Sequence, residues 1–192
     1  MKSTLYLKFA LLYIVFGFLS LFTTSILGQQ LLLNQLEDNA SQSLYKEANV
    51  MATTYLPSYF SNNMTSWSVH SQLSAMKIYL EATLWFVEED GTLITSSNLG
   101  TATAPAMIED FDPAEIGNSQ YIVGRYHGYF DEDVITIMAP VIQGFQTEGY
   151  LLIHKPVSTL EETCTQLMTT VHIILGAVYV LAFLILIGFH FF

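Results

Sequence analysis

Leu84-Trp85-Phe86-Val87-Glu88-Glu89-Asp90-Gly91-Thr92-Leu93-Ile94-Thr95 is the stretch on which the fold turns. Two β-prone apolar runs flank an acidic turn. Gly91 supplies the positive φ that a tight hairpin requires, so residues 84–87 and 92–95 are expected to pair as antiparallel neighbours. Downstream, residues 121–130, 134–142 and 149–155 are further strand candidates. Their connections, Asp131-Glu132-Asp133 and residues 143–148, are short enough to join antiparallel neighbours. The segment from Ser96 to Asn118 holds Pro105 and Pro113 and reads as a loop, with one turn of helix near Ala106 to Asp110.

Upstream of the hairpin the period changes. Leu33, Leu36, Ala40, Leu44, Ala48, Met51 and Tyr55 recur at steps of three and four, the helical spacing. Glu37, Asp38 and Glu47 lie largely off that stripe, and Pro57 ends the run. A helix of about 25 residues would extend roughly 40 Å. Its stripe can pack on its own domain, on the same helix of a second chain, or on both. A shorter helix follows, with Val69, Leu73, Met76 and Leu80 on one face. At the far end Pro156 stops the last strand, and Ser158 followed by Glu161 forms a capping box that would open a helix. Leu160, Cys164, Leu167 and Val171 carry its stripe onward.

Of the 192 residues 52 % are apolar and 12 % charged, about half the charged share of a soluble domain, roughly a quarter. Residues 9–36 contain no Asp, Glu, Lys or Arg, and neither do residues 163–192. An apolar helix of about 20 residues spans roughly 30 Å, the hydrocarbon thickness of a bilayer. The expected organisation is a cytoplasmic start over residues 1–8, a first transmembrane helix over 9–28, an extracytoplasmic domain over 29–170 and a second transmembrane helix over 171–192. Lys2 and Lys8 precede the first span and hold the N-terminus in the cytoplasm. The uncharged run is too long for a typical cleaved signal core, and no small-x-small site stands out near residues 25–30. No basic residue follows the second span, so a fragment cut at the inner face is expected, with its cytoplasmic output region absent.

All seventeen acids lie between Glu37 and Glu162, against Lys46, Lys77, Arg125 and Lys155, a net charge of −13 for that stretch. A chain of net charge −11 is no nucleic-acid binder. Cys164 is the single cysteine, which excludes an internal disulfide framework and a Cys-rich zinc site.

Long helix, shorter helix, hairpin, loop, three antiparallel strands, then a helix re-entering the membrane: this order resembles the extracytoplasmic PAS-like (Cache) sensor domains of bacterial sensor histidine kinases. LWFVEEDGTLIT, residues 84–95, is similar to the family's first hairpin. VITIMAPVIQGFQTEGYLLIHKPVSTL, residues 134–160, is similar to its last two strands and exit helix, including the Ala-Pro-Val after the fourth strand. The resemblance implies an α+β fold: a PAS-like five-stranded antiparallel sheet flanked by long helices, with two transmembrane helices. It also implies a homodimer in the bacterial inner membrane, crossing twice, with kinase machinery following in the parent protein. The chain would be the signal-sensing input module of a two-component system, coupling a ligand or the envelope state to movement of its membrane helices. The input domain of a chemoreceptor or a nucleotide cyclase would look the same here. A complete membrane-tethered adhesion or assembly protein without signalling output is the alternative from another class. There is no Gly-rich nucleotide-binding segment, and His70, His127, His154, His172 and His190 sit in contexts unlike a phosphoacceptor helix. No catalysis and no cofactor are therefore expected of this chain.

Alternation over residues 121–130 would put Tyr121, Val123, Arg125, His127 and Tyr129 on one strand face. Arg125 is the only arginine. The resemblance implies basic side chains on central strands where such domains bind small carboxylates, because a guanidinium fork matches a carboxylate. Arg125, His127 and Tyr121 are the ligand-site candidates on that strand, for a small anionic ligand. His70 and Lys77 match the basic residues of the preceding helix or loop poorly. His154 alternates with Tyr150 and Leu152 on the last strand and points either into a pocket or into the core. Arg125 paired with a surface acid is the plainer alternative. The acidic turns at residues 88–90, 109–112 and 131–133 could attract a divalent cation, but hard cations need converging oxygens, and solvated turns are the simpler expectation. Cys164 lies on an apolar stripe and reads as packing, and no Ser/His/Asp spacing suggests a nucleophile.

Overall fold

A computed structural model describes residues 2–98, 105–117 and 121–191. The elements run α1 (Lys2–Thr23), a π-helical turn (Thr24–Gly28), α2 (Gln29–Thr54), α3 (Pro57–Phe60), α4 (Ser66–Leu80), β1 (Thr83–Glu88) and β2 (Leu93–Ser96). They continue with α5 (Ala114–Gly117), β3 (Ile122–Gly124), a 3-10 turn (Tyr126–Gly128), β4 (Val134–Gln143), β5 (Gln146–Pro156) and α6 (Val157–Phe191). Two compact units result, one of residues 37–159 and one of residues 1–36 with 160–192.

Residues 37–159 hold the α+β, PAS-like sheet, five antiparallel strands in the order β2-β1-β5-β4-β3. Local chemistry explains its turns. Asp90 accepts the Thr92 N–H at 2.8 Å across the first hairpin, and Gly91 takes φ +88 there. A Cβ on Gly91 would also stand 2.7 Å from the Phe111 side chain. The β4–β5 connection is tighter than residues 143–148. Gly144 and Phe145 both have positive φ, 58° and 70°, the backbone of a two-residue hairpin turn. Thr65 caps α4 by accepting the Ser68 N–H at 3.2 Å.

Register assigns the two faces of the sheet. Trp85 stands opposite Leu152, which stands opposite Met138; Phe86 stands opposite Leu151, which stands opposite Ala139. On the first face Trp85, Val87, Val134, Met138 and Leu152 are buried beneath Ile108, Ile116 and Tyr126 from the chain between β2 and β4. On the second face Leu84, Phe86, Ile135, Ile137, Leu151 and Ile153 are all fully buried. Tyr59 and Phe60 of α3 meet Phe86 edge-on, each with centroids 5.6 Å away, and Lys155 reaches the Leu80 carbonyl of α4 at 2.8 Å. The α2 stripe goes to its own domain at Leu44, Ala48 and Met51, which are buried.

Three local expectations are corrected. The strand over residues 121–130 stops at Gly124, and residues 126–128 form a 3-10 turn in which His127 has φ 50. Burying the Tyr126 ring, 5.0 Å from that of His154, overrides the β-prone composition. The short helix lies at Ala114–Gly117, not near Ala106 to Asp110. There the chain bridges Thr92 to Met107 instead, and residues 99–104 of that loop lie outside the described residues. Finally, α6 starts at Val157, so Ser158 lies inside its first turn, and the Val157 N–H is satisfied by the Asp133 carbonyl at 2.9 Å.

Two helical stretches, within residues 8–60 and 157–188, are long and apolar enough to cross a membrane. Leu12, Phe16, Phe18, Ile173 and Leu184 expose more than half their surface, which suits lipid rather than a protein interior. Tyr13 donates its hydroxyl to the Tyr179 carbonyl at 2.6 Å, and its ring stacks on Phe183 at 5.9 Å. A polar group in hydrocarbon must find such a partner.

Candidate ligand site

The first face of the sheet is where chemistry collects. Thr136 and His154 stand directly opposite across β4 and β5, and Thr136 Oγ1 lies 2.9 Å from His154 Nδ1. Around the imidazole are the rings of Trp85 at 4.4 Å, Phe130 at 4.8 Å and Tyr126 at 5.0 Å. Desolvation in that apolar cage lowers the His154 pKa from 6.5 to about 3, so the ring is neutral at ordinary pH. Its Nε2 and the Trp85 Nε1 are buried without a hydrogen-bond partner among the described residues. Burial likewise pushes the Tyr126 phenol up, helped by the nearby charge of Glu115.

The other sequence-predicted residues are dispersed. His127 flanks the cage from outside, its ring 4.7 Å from that of Tyr126 and its Nε2 3.3 Å from the Glu115 carboxylate on α5. Arg125 is exposed at the start of the 3-10 turn and joins no salt bridge among the described residues. Because β3 ends before it, the strand face that would have set Arg125 beside His127 is not formed. Tyr121 donates its hydroxyl to Asp38 of α2 at 2.8 Å, and this bond pushes its pKa up. The four candidates therefore do not share one site.

Sequence reasoning missed the cavity. About 590 Å³ opens between α2, which supplies Ser41, Gln42 and Tyr45, the α5 region, which supplies Pro113, Ala114 and Ile116, and Met138, Pro140 and Tyr150 from the sheet. Met138 stands opposite Leu152 and Pro140 opposite Tyr150, so these walls belong to the first face. Ser41 Oγ donates to the Asp38 carbonyl at 2.9 Å. The available signal was the i, i+4 pair Ser41 and Tyr45 flanking the α2 stripe. Among the described residues no three metal-ligating side chains converge.

No protein-family model matches the sequence, and no curated protein does. Among solved structures it is similar to the sensor domain of the V. cholerae histidine kinase DctB, with 16 % identity and a TM-score of 0.48, over 73 % of this chain and 59 % of that one. It is also similar to the sensory domain of the Campylobacter jejuni chemoreceptor Tlp3, with 16 % identity and a TM-score of 0.41, over 76 % and 66 %. The Tlp3 ligand-binding domain in complex with L-norvaline gives 17 % identity and a TM-score of 0.44, over 76 % and 63 %. The chain thus spans about three fifths to two thirds of the length of the structures it matches.

Proposed function

We propose that the chain is the signal-sensing input part of a bacterial membrane receptor, with residues 37–159 outside the cytoplasm and the N-terminus within it. A small molecule in the 590 Å³ cavity, or the state of the envelope, biases the two membrane helices, and the parent protein is a two-component sensor histidine kinase acting as a homodimer. The observation that carries this reading is covalent: β5 ends at Pro156 and α6, which contains an apolar span, starts at Val157 with no residue between. A change on the sheet therefore has a direct path into a membrane helix. Shifts of about 1–2 Å in one helix are established switching devices. The kinase assignment draws on the likeness of residues 84–95 and 134–160 to that family's hairpin and exit strands. The chain itself has a binding role, not a catalytic one.

The test joins residues 1–192 to the cytoplasmic part of a sensor kinase with a measurable output. Ala114 is exposed and lines the cavity, so Ala114→Trp fills it without disturbing the sheet. Autophosphorylation should change in this variant and not in Lys77→Ala, on α4, which contributes nothing to the cavity lining. Identical output from all three proteins would contradict the reading.

A further inference from the structure

We propose that the cavity between α2, α5 and the β4–β5 pair selects uncharged ligands, an apolar body bearing a hydroxyl or amide, over the matching carboxylates. This rests on the reading of that cavity as the sensing site. The lining carries its argument. Among the lining residues, Ser41, Tyr45, Tyr150 and Gln42 carry neutral polar groups, three hydroxyls and an amide, and Ile116 and Met138 are apolar. Among the described residues no charged side chain lines it. Residues 99–104 and 118–120, outside the described set, contain no Asp, Glu, Lys, Arg or His in sequence either. The volume, about 590 Å³, falls inside the roughly 300–1,000 Å³ range of small-molecule sites.

Each base of the unit is placed elsewhere. Lys155 reaches the Leu80 carbonyl and stands 3.8 Å from Glu81, and Lys77 donates to Asn98. Lys46 and Arg125 are exposed and do not line the cavity. Acids, by contrast, sit on the elements that wall it. Asp38 of α2 holds Tyr121, and Glu115 of α5 holds His127. Residues 37–159 carry fifteen acids against four bases, a net of −11. A bound carboxylate would lose its hydration with no cation to replace it and would face like charge, two costs that add. A neutral ligand incurs neither, and its hydroxyl or amide finds donors and acceptors in the lining. An amine would be drawn by the long-range field but would meet no carboxylate in the wall, and that attraction is screened beyond roughly 8 Å at physiological salt.

The test uses the full chain in nanodiscs and three probes of one shape: 3-phenylpropanol, 3-phenylpropanoate and 3-phenylpropylamine. Binding is read by saturation-transfer NMR and calorimetry, at low and at high salt. The alcohol should bind saturably, and the carboxylate at least tenfold more weakly. That deficit should persist at high salt, because desolvation is not screened. Ala114→Trp, or Gln42→Trp from the opposite exposed wall, should abolish binding of the alcohol while far-ultraviolet circular dichroism stays unchanged. Carboxylate or amine binding as tight as the alcohol, and lost in both variants, would overturn the charge selectivity and leave the sensing cavity standing. Alcohol binding that survives both variants, or no saturable binding of the alcohol, would overturn the site assignment as well.

Discussion

The same strands present two unlike surfaces, and the contrast divides the labour of residues 37–159. The helix-covered face is largely aliphatic around Phe86. Leu84, Ile135, Ile137, Leu151 and Ile153 are fully buried there, and its polar side chains sit toward the margins: Thr95, opposite Phe86 on the edge strand β2, and Lys155, which snorkels to a helix-end carbonyl. One residue along each strand, the other face carries Trp85, Thr136 and His154, two buried nitrogens without partners, and a turn with positive φ at Tyr126 and His127. It also opens into the cavity. The first kind of surface stabilises; the second holds polar groups and strain that a well-packed core does not tolerate. Period-two alternation lets one sheet do both.

Substitutions sharpen that contrast. Ile153→Ala removes a branched side chain from the fully buried aliphatic face, and its unfolding free energy should drop by about 2–5 kcal/mol. Met138→Ala, beside the cavity, should cost less, because part of its surroundings is already open. Equal losses in denaturant titrations of the two variants would break the distinction between faces.

Acid should act through the cavity-side face. His154 has a folded pKa lowered from 6.5 to about 3, so between those values the unfolded chain binds the extra proton. Stability is then fully present above pH 6.5 and declines as pH falls toward 3, by up to about 1.4 kcal/mol per pH unit. The slope should become clearly shallower in His154→Leu, where position 154 takes up no proton on unfolding and only groups such as Asp90, whose backbone hydrogen bond from Thr92 lowers its pKa, still do. A wild-type slope that survives in the variant would assign the acid sensitivity to other groups. The smallest effect belongs to the rim: Glu115→Gln breaks a half-exposed pair with His127 and should change stability by no more than about 1 kcal/mol.

The hairpin at residues 84–95 was legible because Asp90-Gly91 sits between apolar runs, and its strands form at Thr83–Glu88 and Leu93–Ser96. The last two strands, expected over residues 134–142 and 149–155, were likewise legible as β-prone apolar runs between turn segments and form at Val134–Gln143 and Gln146–Pro156, and hydropathy marked both apolar spans. What escaped depends on tertiary placement. Tyr126 leaves its strand to fill the space above Trp85 and His154, and nothing local to a Tyr-rich, β-prone run announces that space. The cavity needs the register of α2 against β4, and a helical stripe states which face is apolar, not where along a sheet it docks. Ser41, Gln42 and Tyr45 therefore passed as polar flank, and α5, four residues long, is too short for any periodicity to reveal.

Coupling between the cavity and the membrane helices is the central claim. In a Cys164→Ser background, spin labels at lipid-facing Phe18 and Ile173, both mostly exposed, report the separation of α1 and α6 in nanodiscs. Filling the cavity with Ala114→Trp should move the mean distance by about 1–2 Å. A distance distribution unchanged by that substitution, with the cavity shown to be filled, would contradict the account.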